Sequence, residues 1–577
     1  MYISNYRRRF NAVFFLFYFI LVLCVGRLLF IQFFRGNYLV EIAKKQHNLF
    51  IELEPRRGTI FDASLKPQGI NISVDSVYAS PNEMPEKTKA IAVQKLALAL
   101  KIPASEIREK LSRKKSFVWL ARKIPSSQSA LIKAFNLRGI DFLKESKRCY
   151  PNSFLAAHII GFAGLDNAGL EGLELSQNRF LKGEPGWAWL LRDARQKKLD
   201  LTDRMMPAKD GYDVVLTIDE VIQYIAEREI DKAFKQYHAK GACIIVMDPH
   251  TGAILALANR PTYDLNSYQS SDKDSRRNRA VADFFEPGSV FKIVTASAAL
   301  EENRVTESTR IFCENGSYRV ANHILHDHES KGTLTFQEVI EQSSNIGTVK
   351  VAQMLGPAIV YKYAKLFGFG TKTGVDLPGE ISGVIKDPKF WSKTSIGAVP
   401  MGQEVGVTAL QLSSAMCAIA NGGMLMRPYI IKEIRDKFGE PIKQYGPQQM
   451  HRAISEKTAL RMRLILQGVV EHGTGKLAQV NGYTSGGKTG TAQKVENGAY
   501  SHNKFVGSFI GFAPAEDPVL VVGVTLDDPH PLYYGGVVSS PVFKNVVGDV
   551  LRYLKITQQV AQSNEALNQN NEVNPAD

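Results

Sequence analysis

Three short strings, far apart in this chain of 577 residues, constrain the fold most, because the chemistry they suggest needs them in one place. They are Ser289-Val290-Phe291-Lys292, Ser343-Ser344-Asn345 and Lys488-Thr489-Gly490-Thr491. Each string is weak evidence alone, since S-x-x-K and S-x-N arise often by chance in a long sequence. The ordered set of three predicts a serine nucleophile surrounded by basic and polar groups.

Ser289 and Lys292 are predicted to be the nucleophile and its base. They lie three positions apart, so on a helix they share one face with the hydroxyl within reach of the amine. A lysine accepts the serine proton only if burial or a nearby cation lowers its pKa from about 10.4 toward neutrality. Lys488 is expected to be that cation. The turn-forming residues 285–288 predict a helix start at Ser289, where the helix dipole favours an oxyanion.

Ser343 and Asn345 follow a helical run over residues 335–342 and by themselves resemble a polar turn at its end. In an acyl transfer, the Ser343 hydroxyl is expected to relay a proton to the departing amine. The Asn345 amide is expected to hold the Lys292 side chain or a substrate carbonyl.

Residues 482–489 also fit the nucleotide-binding pattern G-x-x-x-x-G-K-[ST], so the third string has a rival interpretation as a phosphate-binding loop. Such a loop opens a helix directly, whereas Gly490 and the β-prone Thr491 follow here. The chain left after this point is also shorter than a nucleotide-binding domain of about 150 residues. We therefore favour a strand.

On an edge strand, Lys488 is expected to lie beside the Ser289 pocket and to support it electrostatically. The Thr489 and Thr491 hydroxyls are then predicted to bind a substrate carboxylate, and Gly490 to let the substrate approach closely. The backbone amides of Ser289 and Thr491 are predicted to form the oxyanion hole.

Together the strings are the S-x-x-K, S-x-N and K-T-G set of penicillin-interacting serine acyltransferases, and the chain resembles class B penicillin-binding proteins. Further segments carry the resemblance over nearly the whole chain: residues 55–62, 148–151, 242–257, 278–289, 407–411, 420–423 and 507–512. Residues 161–174 are most similar to division-type (FtsI-like) and sporulation-type members, which favours septal synthesis. Two departures are Asp62-Ala63-Ser64-Leu65, where the family has D-R-N-G, and Glu404, where a small residue is commoner.

This resemblance implies a serine D,D-transpeptidase that forms an acyl-enzyme on Ser289 from the D-Ala-D-Ala end of a peptidoglycan stem peptide. The acyl group passes to an amine of a neighbouring peptide, β-lactams inhibit the enzyme, and neither cofactor nor metal is required. Two alternatives share the residues, a D,D-carboxypeptidase and a β-lactamase-like hydrolase. A third alternative is a non-catalytic division scaffold.

The implied fold is α+β, with an antiparallel sheet flanked by helices, preceded by a membrane helix and a mixed α+β pedestal domain. The predicted boundaries are a cytoplasmic N-terminus at 1–9, a transmembrane signal anchor at 10–34, the non-catalytic pedestal at 35–207, the transpeptidase domain at 219–554 and a disordered tail at 557–577. The tail is rich in Gln, Asn and Glu and lacks aromatic residues.

The membrane helix is predicted from the apolar run at 10–34, since about 20 apolar residues cross a bilayer. Arg7-Arg8-Arg9 before it predicts a cytoplasmic N-terminus, which leaves the catalytic domain outside the cell (inner) membrane. No small-x-small cleavage site follows the run. The resemblance also implies a polytopic peptidoglycan glycosyltransferase and divisome proteins as partners.

Nucleic acid and metal are not predicted ligands. The net charge is +14, but no basic motif interleaved with aromatic residues is present. The five cysteines lack C-x-x-C spacing. His323, His326, Asp327 and His328 form the strongest metal-like cluster, but they lie in a polar connector without a partner at helical spacing.

Overall fold

The structure is a computed structural model that describes residues 2–36, 38–39, 48–115, 117–192, 198–496 and 498–558. The predicted tail lies outside these residues from 559 onward, and the predicted pedestal range also includes undescribed positions. The chain forms two compact units, one made of residues 1–56 and 183–210 and the other of residues 57–182 and 211–577.

The helices and strands of the described residues are numbered in chain order. The helices are α1 Tyr2–Phe34, α2 Glu86–Leu100, α3 Ala104–Ser112, α4 Ser126–Ala134, α5 Ala157–Ile160, α6 Gly172–Ser176, α7 Asn178–Leu181, α8 Glu220–Gln236, α9 Lys273–Arg276, α10 Arg279–Ala282, α11 Lys292–Glu301, α12 Phe336–Glu341, α13 Asn345–Leu355, α14 Pro357–Leu366, α15 Ser395–Ala398, α16 Ala409–Ala420, α17 Glu456–Glu471, α18 Gly535–Val538 and α19 Ser540–Tyr553. The strands are β1 Asn48–Leu53, β2 Ile60–Phe61, β3 Pro67–Ala79, β4 Val118–Ile124, β5 Ile140–Cys149, β6 Gly186–Arg192, β7 Lys198–Met206, β8 Asp213–Leu216, β9 Gly241–Met247, β10 Ile254–Arg260, β11 Arg310–Phe312, β12 Ser317–Val320, β13 His323–His326, β14 Thr333–Thr335, β15 Met424–Met426, β16 Ile431–Arg435, β17 Pro441–Gln444, β18 Gln449–Arg452, β19 Gly486–Glu496, β20 Ala499–Ala513 and β21 Leu520–Asp527.

The first unit contains α1 and a three-stranded sheet in the order β1-β6-β7. Within α1, the 28 residues Arg7–Phe34 are long enough to span a bilayer, and an 18-residue window among them has a mean hydropathy of 2.6. Their large apolar side chains are exposed, which is unfavourable in water and favourable in lipid. This helix meets the expectation of one N-terminal membrane span.

The second unit is centred on a five-stranded sheet in the order β10-β9-β21-β20-β19. Every neighbouring pair in this sheet is antiparallel. β9 is buried along its whole length, as its unbroken apolar sequence requires for a central strand. α11 and α16 are also buried almost throughout and contribute to the main hydrophobic core. The predicted α+β class with an antiparallel sheet flanked by helices is therefore confirmed.

A second sheet in this unit joins strands from distant parts of the chain, in the order β17-β16-β8-β2-β3-β4, with β5 paired to β3. β8 runs parallel to β2 and antiparallel to β16. After β8, Asp219 caps α8 by accepting hydrogen bonds from the Val221 and Ile222 amides. α8 then leads into β9.

A buried ion cluster in the same unit joins three of the segments that resemble the family. Glu174 accepts hydrogen bonds from Arg57 Nε at 2.5 Å and from Arg148 Nε at 2.6 Å, and the Glu174 side chain has no exposed area. The Tyr150 hydroxyl donates to the same carboxylate. One buried carboxylate therefore holds residues 55–62, 148–151 and 161–174 together.

Candidate active site

Ser289 lies in a turn of 3₁₀-helix, Gly288–Phe291, that continues directly into α11. Gly288 begins this turn with a φ of +52°, a conformation that side chains disfavour. A Cβ atom at Gly288 would lie 2.8 Å from the Thr491 carbonyl oxygen. The sequence Pro-Gly-Ser therefore folds tightly enough to bring the predicted nucleophile against β19.

Lys292, one turn further on, is completely buried. Its amine donates hydrogen bonds to the Ser343 carbonyl at 2.6 Å, to Asn345 Oδ1 at 2.8 Å and to Ser343 Oγ at 3.2 Å. Burial lowers the pKa of the Lys292 amine to about 7, with Lys331 lowering it further and Asp327 opposing the shift. A substantial fraction of this lysine is therefore neutral at physiological pH.

Lys488 reaches the same hydroxyl from β19. The completely buried Lys488 amine donates to Ser343 Oγ at 3.0 Å. Burial and the neighbouring Lys292 amine hold the pKa of Lys488 well below its usual value. Ser343 Oγ thus lies between two buried amines, and its backbone adopts a left-handed φ of +55°, which is uncommon for a residue with a side chain.

The Ser343-Ser344-Asn345 turn ends one helix, as predicted, and also opens the next. The Ser343 and Ser344 amides donate to the Ile340 and Val339 carbonyls at the end of α12. Ser344 is the N-cap of α13, and its hydroxyl accepts a hydrogen bond from the Gly347 amide. The amide oxygen of Asn345 therefore points to Lys292 from the first residue of α13, while Asn345 Nδ2 donates to the His326 carbonyl. The role predicted for Asn345, holding the Lys292 side chain, matches this geometry.

Asp327 is a site residue that the sequence did not reveal. Its Oδ1 accepts hydrogen bonds from the Asn345 and Ile346 amides, and its Oδ2 accepts one from Ser344 Oγ at 2.6 Å. The sequence placed this carboxylate in a cluster of histidines, where it suggested only a weak metal site. Asp327 and Asn345 are 18 positions apart, so no local signal in the sequence connects them.

Thr489 and Thr491 extend along β19 beside the two lysines. Thr489 Oγ1 is 2.8 Å from Thr474 Oγ1, and Thr491 Oγ1 accepts a hydrogen bond from the Gly535 amide at 3.0 Å. Thr474 precedes β19 by a loop and was not identified from the sequence. Among the described residues, β19 lies at the edge of its sheet and has a strand partner on one side only.

Gly490 makes a close approach of a kind that the sequence did not specify. A Cβ atom there would lie 2.8 Å from the Pro287 carbonyl and 2.8 Å from Val290 Cγ2. The lack of a side chain therefore lets β19 pack against the turn that carries Ser289. This packing places the K-T-G string beside the S-x-x-K string.

The rival interpretation of residues 482–489 as a phosphate-binding loop is wrong. Residues Gly486–Glu496 form a strand with a complete antiparallel ladder to β20, and no helix opens after Thr489 in this described segment. A phosphate-binding loop requires a helix N-terminus at this point. The string is a strand, as favoured above.

One expected contact differs from the prediction. Among the described residues, Lys292 Nζ has no hydrogen bond with Ser289 Oγ, although the two side chains lie one turn apart. Catalytic hydrogen bonds often close only when substrate is bound.

Two family models match the chain. The model described as the penicillin binding protein transpeptidase domain matches residues 242–548, which contain every predicted site residue. The model described as the penicillin-binding protein dimerisation domain matches residues 52–216. The chain belongs to the penicillin-binding protein transpeptidase family. The family assignment made from the sequence is therefore confirmed.

Relatives of the whole chain carry the same assignment. Stage V sporulation protein D of Bacillus subtilis (strain 168) is 38% identical over 567 residues, which cover 96% of this chain and 88% of that protein. The peptidoglycan D,D-transpeptidase FtsI of Escherichia coli (strain K12) is 31% identical over 544 residues, with coverages of 93% and 90%. The expected enzyme class, a D,D-transpeptidase of class B type, is confirmed.

Solved structures agree with this assignment. Penicillin binding protein 3 of Mycobacterium tuberculosis, complexed with aztreonam, superposes with a TM-score of 0.70 at 28% identity. The match covers 88% of this chain and 98% of that chain. A peptidoglycan synthetase from Bifidobacterium adolescentis matches with a TM-score of 0.71 at 25% identity, over 89% of this chain and 98% of that chain.

Proposed function

We propose that Ser289 is the nucleophile of a peptidoglycan D,D-transpeptidase and that Lys292 is its acylation base. The observation that carries this proposal is the buried Lys292 amine, held by Ser343 and Asn345 one turn from Ser289 with a pKa of about 7. When the pKa of an amine lies near the working pH, part of the amine is neutral and able to accept a proton. The same amine still binds a proton strongly enough to act as a base.

In the acylation step, Ser289 Oγ attacks the carbonyl carbon of the penultimate D-Ala and its proton passes to Lys292 Nζ. The tetrahedral oxyanion is stabilised by the Ser289 and Thr491 backbone amides. The C–N bond then breaks, and Ser343 Oγ passes a proton to the departing D-Ala amine and regains one from Lys292 Nζ, which lies 3.2 Å away. An ester to Ser289 remains.

In the second step, the amine of a neighbouring stem peptide attacks this ester and a new amide bond forms. The acceptor amine loses one proton and Ser289 Oγ regains one, so Lys292 and Ser343 act in the reverse direction. Lys488 is proposed as the electrostatic support of both steps. Thr489 and Thr491 are proposed to bind the terminal carboxylate of the donor, with Gly490 keeping the strand close to Ser289.

The organisation of the chain favours this reaction over a D,D-carboxypeptidase or a β-lactamase-like hydrolase. A helix long enough to cross a membrane and a long N-terminal region precede the catalytic residues. A relative that matches 93% of this chain is named a peptidoglycan D,D-transpeptidase. In this proposal β-lactams acylate Ser289. The complex of aztreonam with Mycobacterium tuberculosis penicillin binding protein 3, a protein of similar fold, supports this part of the proposal.

We further propose a cytoplasmic N-terminus at 1–9, a membrane anchor at 10–34, a pedestal at 35–207 and a transpeptidase domain at 219–554. The matched ranges 52–216 and 242–548 support the two extracytoplasmic domains, and the preceding arginines support the orientation. A polytopic peptidoglycan glycosyltransferase and divisome proteins are the proposed partners. Loss of co-purification after residues 10–34 are replaced by an unrelated anchor would support contact through the membrane helix.

Septal cross-linking is the proposed cellular role, and the FtsI relative supports it. The relative named Stage V sporulation protein D favours a second role in sporulation. A fluorescent fusion that accumulates at the midcell of dividing cells supports the first role. Accumulation only in sporulating cells supports the second.

The test of the catalytic proposal is intact mass over time after the full-length protein in detergent is mixed with benzylpenicillin. We expect a covalent adduct that persists for many minutes, is absent in Ser289→Ala and is present in Ser112→Ala. Ser112 is a matched control, because it begins a second S-x-x-K string at the exposed end of α3. Rapid loss of the adduct favours a β-lactamase, and its absence favours a scaffold.

A further inference from the structure

Asp327 is separated from the three catalytic strings in sequence but contacts the second of them directly. It follows the hairpin formed by β12 and β13, which spans residues 317–326. From there its carboxylate accepts hydrogen bonds from the Asn345 and Ile346 amides and from Ser344 Oγ. Both oxygens are therefore engaged by the first turn of α13.

This contact fixes the turn that presents Ser343 and Asn345 to Lys292. The Ser343 backbone is in the left-handed region, which costs about 1 kcal/mol or more for a residue with a side chain. An anchor is needed on the C-terminal side of such a residue, and the Asp327 carboxylate supplies it by holding Ser344 and Asn345. Without this carboxylate, the Ser343 hydroxyl and carbonyl are held less firmly beside the Lys292 amine.

Asp327 is also the negative group that acts on Lys292. Among the described residues, Asp327 is the only acidic group that raises the pKa of Lys292, whereas burial and the cation Lys331 lower it. Lys488 is the other cation coupled to it. The Cys313 thiol also faces this contact, 3.4 Å from Ser344 Oγ, and Lys350 acts on that thiol together with Asp327.

We propose that Asp327 is a positioning residue of the transpeptidase, holding the Ser343–Asn345 turn in place and setting with its charge the pH at which Lys292 becomes a base. The proposal rests on the catalytic role of Lys292 given above. It assigns Asp327 no contact with substrate. The charge acts on the ammonium form of Lys292, which a neighbouring carboxylate stabilises.

The test is the acylation rate of the full-length protein by benzylpenicillin, measured in detergent from about pH 5 to about pH 9. Asp327→Asn keeps an oxygen that accepts from the α13 amides but removes the charge. Because the ammonium form then loses its counter-charge, the acid limb of the rate profile is expected to move to lower pH by about one unit. Asp327→Glu keeps the charge and is expected to leave the limb within a few tenths of a unit of wild type.

Asp272→Asn is the matched control. Asp272 accepts from the Ser275 amide and the Ser275 hydroxyl at the start of α9, so the same chemical change is made at a helix cap that does not act on Lys292. Its acid limb is expected to match that of the wild type. Thermal unfolding of each variant identifies any that has lost its fold. If Asp327→Asn does not fold, Asp327→Ser, which also removes the charge and keeps an accepting oxygen, carries the test in its place.

The outcomes separate this inference from the catalytic proposal. If the wild-type protein forms no adduct, the catalytic proposal fails first. If the wild type acylates and the limb of folded Asp327→Asn does not move, the inference is overturned and the catalytic proposal stands. A uniform loss of rate at every pH also overturns it, because a purely structural cap lowers the rate without moving the limb.

Discussion

Ser343 Oγ accepts a hydrogen bond from Lys488 Nζ at 3.0 Å, although the two residues are 145 positions apart. The same hydroxyl is 3.2 Å from Lys292 Nζ. Because a hydroxyl donates only one hydrogen bond, Ser343 Oγ can donate to only one of the two amines at a time. A proton on either amine disfavours a proton on the other, so the pair titrates as a coupled unit.

The first prediction concerns the pH dependence of acylation. Lys292 must be neutral to accept the Ser289 proton, and burial places its pKa at about 7. The acylation rate with benzylpenicillin is therefore expected to rise with pH and to reach half its plateau near pH 7. A limb centred near the ordinary lysine value of about 10.4 would contradict this role.

The second prediction concerns the electrostatic support from Lys488. Its buried amine donates to Ser343 Oγ, and the Lys292 charge lowers its pKa. Lys488→Met is expected to lower the plateau rate about 100-fold, because this support is lost. The acid limb is expected to stay near pH 7, since the pKa of Lys292 is set by burial, Asp327 and Lys331. Lys494→Met is the control, since Lys494 lies on the same strand and pairs with Asp527. A wild-type plateau rate in Lys488→Met would argue against the support.

The third prediction concerns the packing of β19 against the nucleophile turn. In Gly490→Ala, the new methyl would lie 2.5 Å from Ser508 Oγ and 2.8 Å from the Pro287 carbonyl. Relief of this overlap displaces the turn that carries Ser289, and a displacement near 1 Å lowers the acylation rate about 100-fold. The second-order rate constant for benzylpenicillin measures the effect.

Gly446→Ala controls for the loss of a glycine, since a Cβ there has no heavy atom within 4 Å. It is expected to acylate at the wild-type rate. Wild-type acylation in Gly490→Ala as well would mean that the strand and the turn move apart without consequence for the nucleophile.

Much of this site follows from local patterns, because the three strings each form a regular element. Asp219 and the apolar spacing after it predict α8, and the β-prone Thr491 distinguishes a strand from a phosphate-binding loop. Asp327 could not be placed in the same way. Its function depends on where the β12–β13 hairpin folds relative to α13, which the local sequence does not encode.

The K-T-G string also shows that a short local pattern does not by itself identify a site residue. A second copy, Lys372-Thr373-Gly374, occurs in the chain and matches the short pattern equally well. In the structure, the Thr373 and Gly374 amides bind the Glu380 carboxylate in a loop. Both copies follow Ser289 and Ser343 in the chain, so the order of the strings fits either copy. The strand around Lys488 separates them, so the pattern needs its structural setting.

The last prediction concerns the buried ion cluster. Glu174 is the carboxylate shared by Arg57 and Arg148, and its side chain is fully buried. Glu174→Gln leaves two buried guanidinium groups without a counter-charge, which lowers the free energy of unfolding by about 3–5 kcal/mol. Urea unfolding of the full-length protein in detergent measures the change. Glu184→Gln removes the same charge from an exposed pair with Lys209, where a change of at most about 1 kcal/mol is expected. Equal effects of the two substitutions would mean that the cluster does not hold its three segments together.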